Sequence, residues 1–125
     1  MRKIEPNELK KILEDHKAWL EDNSKGKLAD LSYADLSYAN FSCADLSYAD
    51  LSYSDFRHAD LRYANFSCAD LSYADLSYAD LSYADFRYAN FCYANLHLVD
   101  FRYANFDSAN FDSANFSSTN FHKEK

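Results

Sequence analysis

The chain has 125 residues, enough for one domain and not for two. Eleven Tyr and ten Phe stand beside a single glycine, Gly26, and a single proline, Pro6, which argues against a loop-rich enzyme whose turns draw on both residue types. The net charge of −7 argues against direct nucleic-acid binding, because phosphate contacts are made by Lys and Arg.

Residues 1–28 hold seven Lys and Arg against six Asp and Glu. Residues 29–123 hold thirteen Asp against four Arg and Lys123, a net of −8, so the acidity belongs to the second segment. Cys43, Cys68 and Cys92 lack metal-ligand spacing and are odd in number, so neither a zinc site nor a disulfide framework is expected. The charged N-terminus does not read as a secretory leader, and no run of about 18 apolar residues occurs. A reducing, cytoplasmic setting away from membranes is the expectation.

The first predicted element is an amphipathic helix over residues 6–22. Leu9, Ile12, Leu13, His16, Trp19 and Leu20 recur at three- and four-residue spacing. Pro6 suits the first turn, and Asn23 with Gly26 supplies the stop.

From Ala29 the chain reads ADLSY ADLSY ANFSC ADLSY ADLSY SDFRH and continues to TNFHK, 19 pentads without an insertion. Position three is Leu or Phe in all 19, position two is Asp or Asn, and position one is Ala except at Ser54, Val99 and Thr119. A period of five turns an α-helix by roughly 140° per repeat, so no apolar stripe forms. In a flat strand five is odd, and successive Leu residues would alternate faces. Within one pentad, however, Ala and Leu or Phe two apart share a side, and the last two residues can make a corner. The chain must therefore coil with its apolar positions inside, stacking turns about 4.8 Å apart.

This A(D/N)(L/F)xx tandem resembles the pentapeptide-repeat family. The resemblance implies an all-β, right-handed quadrilateral β-helix with four pentads per coil, so that residues n and n+20 stack. One interior column of the structural core is then Leu31, Leu51, Leu71, Phe91 and Phe111. Relatives often place Gly at position five, where this chain mostly has Tyr. Tyr disfavours positive φ, so the corners are expected to avoid left-handed residues. The expected division is a capping helix with linker at 1–28, the β-helix of just under five coils at 29–123, and a tail at 124–125.

Leu9, Ile12, Leu13, Trp19 and Leu20 are expected to cover the open N-terminal end, as solenoids require. At the other end Phe111, Phe116 and Phe121 would meet water, and a two-fold homodimer through the C-terminal coils would cover them. Aspartates stack as Asp30, Asp50, Asp70 and as Asp35, Asp55, Asp75, forming an acidic surface. Arg57, Arg62, Arg87 and Arg102 interrupt the acidic rows and relieve their repulsion. Tyr33, Tyr53, Tyr73 and Tyr93 line up on one face, and Tyr63, Tyr83 and Tyr103 on another; self-stacking that stiffens the rod accounts for both. No catalytic grouping, metal set or cofactor site is distinguishable. The reading is a non-enzymatic structural or protein-binding module with an unidentified partner. Some relatives act on DNA gyrase by imitating DNA, so the resemblance also implies an acidic DNA mimic as an alternative.

Overall fold

The computed structural model of the chain describes residues 1–121. The tail 124–125, and His122 and Lys123 of the last pentad, lie outside the described residues. A short strand β1, Arg2–Lys3, precedes the helix α1, Pro6–Glu21, and the first coil contains β2, Ala34–Asp35. From Asp30 onward every position-two residue pairs in parallel with the residue twenty places later, beginning with Asp30 on Asp50 and ending with Asp100 on Asn120. Twenty residues per coil and five per side make the coil quadrilateral, and the fold is the right-handed β-helix that the resemblance implies.

The pentad satisfies its own amides. In Ala49–Tyr53, the Ala49 N–H closes the preceding turn on the Leu46 carbonyl at 3.1 Å, and Asp50 donates back to Ala29 at 3.0 Å. Leu51 and Tyr53 donate forward to Asp70 at 2.8 Å and Ser72 at 3.0 Å. The remaining N–H, of Ser52, donates to the Asp50 carboxylate at 3.1 Å. Position two is Asp or Asn because only a short side-chain acceptor reaches the amide two residues on. Asp50→Ala, which strands that amide, should lower stability by about 1 kcal/mol. Asp50→Asn keeps the acceptor and should stay within about 0.5 kcal/mol, as urea denaturation of the two variants would measure.

The corners overturn the expectation drawn from tyrosine. All described position-five residues from Tyr33 to Ser118 have positive φ, between 57° and 68°. Position four does not, and an i to i+3 bond closes each turn, so these are type II corners with Tyr, Cys, His, Leu or Ser in the place usually given to glycine. The values fall inside the narrow left-handed window open to side chains with a Cβ. Each such residue costs about 1 kcal/mol or more. Two backbone bonds per corner and the stacking of the rings outside offset that cost.

Leu31, Leu51, Leu71 and Phe91 are fully buried, whereas Phe111 is only partly covered. Phe rings interleave through the later coils; Phe66 and Phe86 stack at 5.1 Å and Phe91 and Phe111 at 4.8 Å.

Two devices cover the N-terminal end. Leu9, Ile12 and Leu13 of α1 pack on the core, while Trp19 and Leu20 are half-buried. The second device, which the sequence reading missed, is β1: Arg2 registers on Ala34 and Lys3 on Asp35. Ile4 follows and packs on the core, so Arg2-Lys3-Ile4 continues the order of Ala, Asp and Leu in a coil before the first. Gly26, at φ 62°, lets the linker return against α1, where a Cβ would overlap the Asp15 carbonyl.

Candidate functional site: an acid–tyrosine corner

The two aspartate columns and the first tyrosine ladder turn out to be one surface. Tyr33, Tyr53, Tyr73 and Tyr93 occupy the corner between side one, with Asp30, Asp50 and Asp70, and side two, with Asp35, Asp55 and Asp75. Coil spacing sets the rings at 4.7–4.9 Å, parallel within 4°, in the offset range that aromatic quadrupoles favour. All four rings are exposed. The packing of Tyr33 and Tyr73 on either side of Tyr53 desolvates its phenol and pushes its pKa up, with their own phenolate charge a smaller contribution.

Each carboxylate is held in a fixed pose. In Asp/Ser pentads one oxygen, Oδ1, accepts the position-four N–H and the serine hydroxyl; for Asp50 these lie at 3.1 and 2.7 Å and for Asp70 at 3.0 and 2.7 Å. The other oxygen, Oδ2, has no protein donor in these pentads among the described residues. The serine hydroxyls and then the backbone amides hold Asp30 and Asp35 below the ordinary carboxylate range. At Asp55 the fork of Arg57 takes the hydroxyl's place, with Nε on Oδ1 at 2.9 Å and Nη2 on Oδ2 at 2.7 Å, and holds that carboxyl low.

The same fork joins Arg62 to Asp60, Arg87 to Asp85 and Arg102 to Asp100. Each arginine thus neutralises the aspartate of its own pentad. A rule of composition follows. Asp occurs at position two only where position four is Ser or Arg, both donors to the carboxylate; where position four is Cys92, His97, Asp107 or Asp112, position two is Asn. That signal lies in the sequence, and it becomes readable once the turn is known to bring positions two and four together.

Charge is therefore unequal around the rod. The sides flanking Tyr33–Tyr93 carry seven Asp, Asp112 included, and one Arg, whereas those flanking Tyr63–Tyr103 carry Asp45, Asp60, Asp80, Asp85, Asp100 and Asp107 against Arg62, Arg87 and Arg102. A third ladder stacks His58 between Tyr38 and Tyr78, each at 4.8 Å. Phe111, Phe116 and Phe121 form the floor of the last described coil, tilted on one another at 5.1 and 5.6 Å, and Phe116 and Phe121 are each 37% exposed. Among the described residues no group of three or more His, Cys, Asp or Glu is placed to hold a metal ion, and no helix is long and apolar enough to cross a membrane. Cys43, Cys68 and Cys92 are free thiols.

The model of the family of pentapeptide repeats matches the chain in overlapping stretches, 27–62, 39–77, 64–102 and 94–123. Among solved structures, the chain is similar to HetL, a pentapeptide repeat protein involved in heterocyst differentiation regulation in the cyanobacterium Nostoc sp. strain PCC 7120, at 35% identity and a TM-score of 0.70 over 74% of this chain. It spans 44% of that protein's length. A pentapeptide repeat protein of the cyanobacterium Cyanothece 51142 aligns at 27% identity and a TM-score of 0.77, covering 81% of this chain and 69% of the other. One from the thylakoid lumen of Arabidopsis thaliana aligns at 35% and 0.70, covering 72% and 63%. No curated protein matches.

Proposed function

The chain belongs to the pentapeptide-repeat family, and from that premise we propose that it is a non-enzymatic binding rod whose acid–tyrosine corner docks on a basic patch of a partner protein. The observation that carries this reading is the pose of the aspartates in Asp/Ser pentads: one oxygen tied down by the turn, the other without a protein donor among the described residues, repeated at coil spacing. The side chains lose little entropy on binding, because folding has already ordered them. A reducing, cytoplasmic setting belongs to the same reading, since the exposed Cys43 and Cys68 are unpaired.

Imitation of DNA is the weaker reading on charge density. A net of −8 over 29–123 along a rod of roughly 23 Å gives about one charge per 3 Å, against one per ~1.7 Å in duplex DNA. Capture from cell lysate with the immobilised chain tests the corner. The partner should be retained at low salt and lost at high salt. It should also be lost with the triple variant Asp30→Asn, Asp50→Asn, Asp70→Asn, which keeps the turn acceptors and hence the fold. Retention by that variant would remove the corner from consideration. In a gyrase supercoiling assay the wild-type chain should have no effect at micromolar concentration, and inhibition or protection there would restore the DNA-mimic reading.

The same proposal includes a homodimer through the C-terminal coils, supported by the exposed floor of Phe111, Phe116 and Phe121. Light scattering at micromolar concentration should return twice the chain mass, and Phe116→Lys with Phe121→Lys should return a folded monomer. A wild-type monomer would reject the dimer.

A further inference from the structure

The N-terminal edge of the first coil is only half paired. In the second coil the position-two amides of Asp50, Asp55, Asp60 and Asn65 donate to Ala29, Ala34, Ala39 and Ala44. On the first coil, β1 pairs with side two, the Arg2 side chain reaches the Asp30 and Ser32 carbonyls on side one, and His16 takes the Ser47 carbonyl. Sides three and four keep the amides of Asn40 and Asp45 and the carbonyls of Asn40, Ser42 and Asp45 without a partner among the described residues.

Over side four the helix stands away from the coil. Leu13, Lys17, Leu20 and Glu21 on α1 face Ala44 and Asp45 across a slot of about 370 Å³, within the ~300–1,000 Å³ range of ligand clefts. Ala44 is partly exposed there, while Ala64 and Ala84 below it in the same column are each 1% exposed. Apolar walls beside open strand-pairing groups are what an added β-strand requires.

We propose that this slot binds an extended segment of a partner protein as a parallel strand, reading small residue, Lys or Arg, then Leu or Ile, in register with Ala44, Asp45 and Leu46. The chain's own β1 supplies the chemistry, because it occupies the neighbouring stretch of the same edge in that way. Lys3 lies over Asp35 and the next residue, Ile4, packs on the core, so a basic second residue belongs over Asp45, which is exposed. The third residue then enters between Leu13 and Leu20. The segment continues an interface already present along the edge, and its positive charge complements the acidic repeat. This site is separate from the acid–tyrosine corner and stands without it.

The test uses the full chain and a fluorescein-labelled peptide, Ser-Ala-Lys-Leu-Ser, followed by anisotropy. Saturable binding is expected, weakened about tenfold, the effect of losing one or two net hydrogen bonds or a buried apolar contact, by Leu20→Lys in the slot. Asp45→Asn, which keeps the acceptor for the Ser47 amide and removes the charge facing the peptide's Lys, should also weaken it. A peptide with Glu in place of Lys should bind correspondingly less. In the unaltered chain, exchange of the Asp45 amide should slow when peptide is added, a readout that needs no variant. Four results would overturn the proposal: no saturation at millimolar peptide, equal affinity for both variants, no protection of that amide, or loss of binding only on Phe116→Lys with Phe121→Lys.

Discussion

Phe86→Ala is expected to cost about 3–5 kcal/mol, a large part of the ~5–15 kcal/mol that holds a domain of this size together. Phe86 is fully buried and touches three rings: Phe66 at 5.1 Å in the coil before, and Phe91 at 5.1 Å and Phe101 at 5.9 Å in the coil after. Truncation opens a void where four sides meet, and the coils cannot collapse into it. Their spacing is fixed by backbone bonds such as that from Phe86 N–H to Asn105, at 2.6 Å. Because each coil touches only its neighbours, the damage also uncouples the coils above from those below. Phe121→Ala, at the half-exposed end of its column, should cost about 1 kcal/mol by comparison. Urea titrations followed by circular dichroism would compare them. Equal losses would mean that the centre of the rod is not the most cooperative part of the molecule.

The second large effect is a pH dependence at the cap. His16 is fully buried. Its Nδ1 accepts the Ala29 N–H at 3.0 Å, and its Nε2–H donates to the Ser47 carbonyl at 2.9 Å, so the ring is neutral and joins α1 to both ends of the first coil. Burial lowers its pKa below the ordinary 6.5, while the bond to Ser47 and the charge of Asp45 oppose that shift less strongly. A proton on Nδ1 would also face the Ala29 N–H.

With the folded pKa depressed, the unfolded chain binds the extra proton first. The stability that His16 contributes is complete above about pH 6.5 and is lost as pH falls through the folded value. That window is separate from acid titration of Asp30, Asp35 and Asp55, whose lowered pKa values place their losses below about pH 4. Trp19 reports the change directly. It is the only tryptophan, and it lies 6.1 Å from His16 and 6.3 Å from Tyr48.

Its fluorescence should shift toward the exposed form as pH falls below about 6.5. His16→Leu should abolish that transition and lower the cap's stability at pH 7.5 by about 2–4 kcal/mol, because an amide and a carbonyl lose their partner in the interior. An unchanged wild-type signal across this range would mean that the cap does not depend on the neutral ring. On the helical pattern alone His16 was one more residue of the apolar face. Its tie to Ala29 and Ser47 depends on where the first coil places those two backbone groups.

The sequence by itself determined the coil. Five-residue spacing of Leu and Phe, Ala two places before, and 19 copies without a break leave a chain only one way to bury them together. It also determined that a helix near the N-terminus has an apolar face to bury. Local chemistry sufficed for these because each depends on residues a few places apart.

The tertiary structure alone decided what depends on contacts about twenty residues apart or longer. Tyr at a corner argues against positive φ when taken alone. Stacked coils impose it, because the Tyr53 amide must meet Ser72 and its ring must lie on Tyr33 and Tyr73. The pairing of Arg2-Lys3 with Ala34-Asp35 leaves no periodic trace, since a strand so short has no pattern of its own. Whether the aspartates form one acidic field or several neutralised patches was likewise settled in three dimensions: twenty residues per coil set Asp30, Asp50 and Asp70 beside Tyr33–Tyr93, and the turn folds each Arg back onto its own Asp.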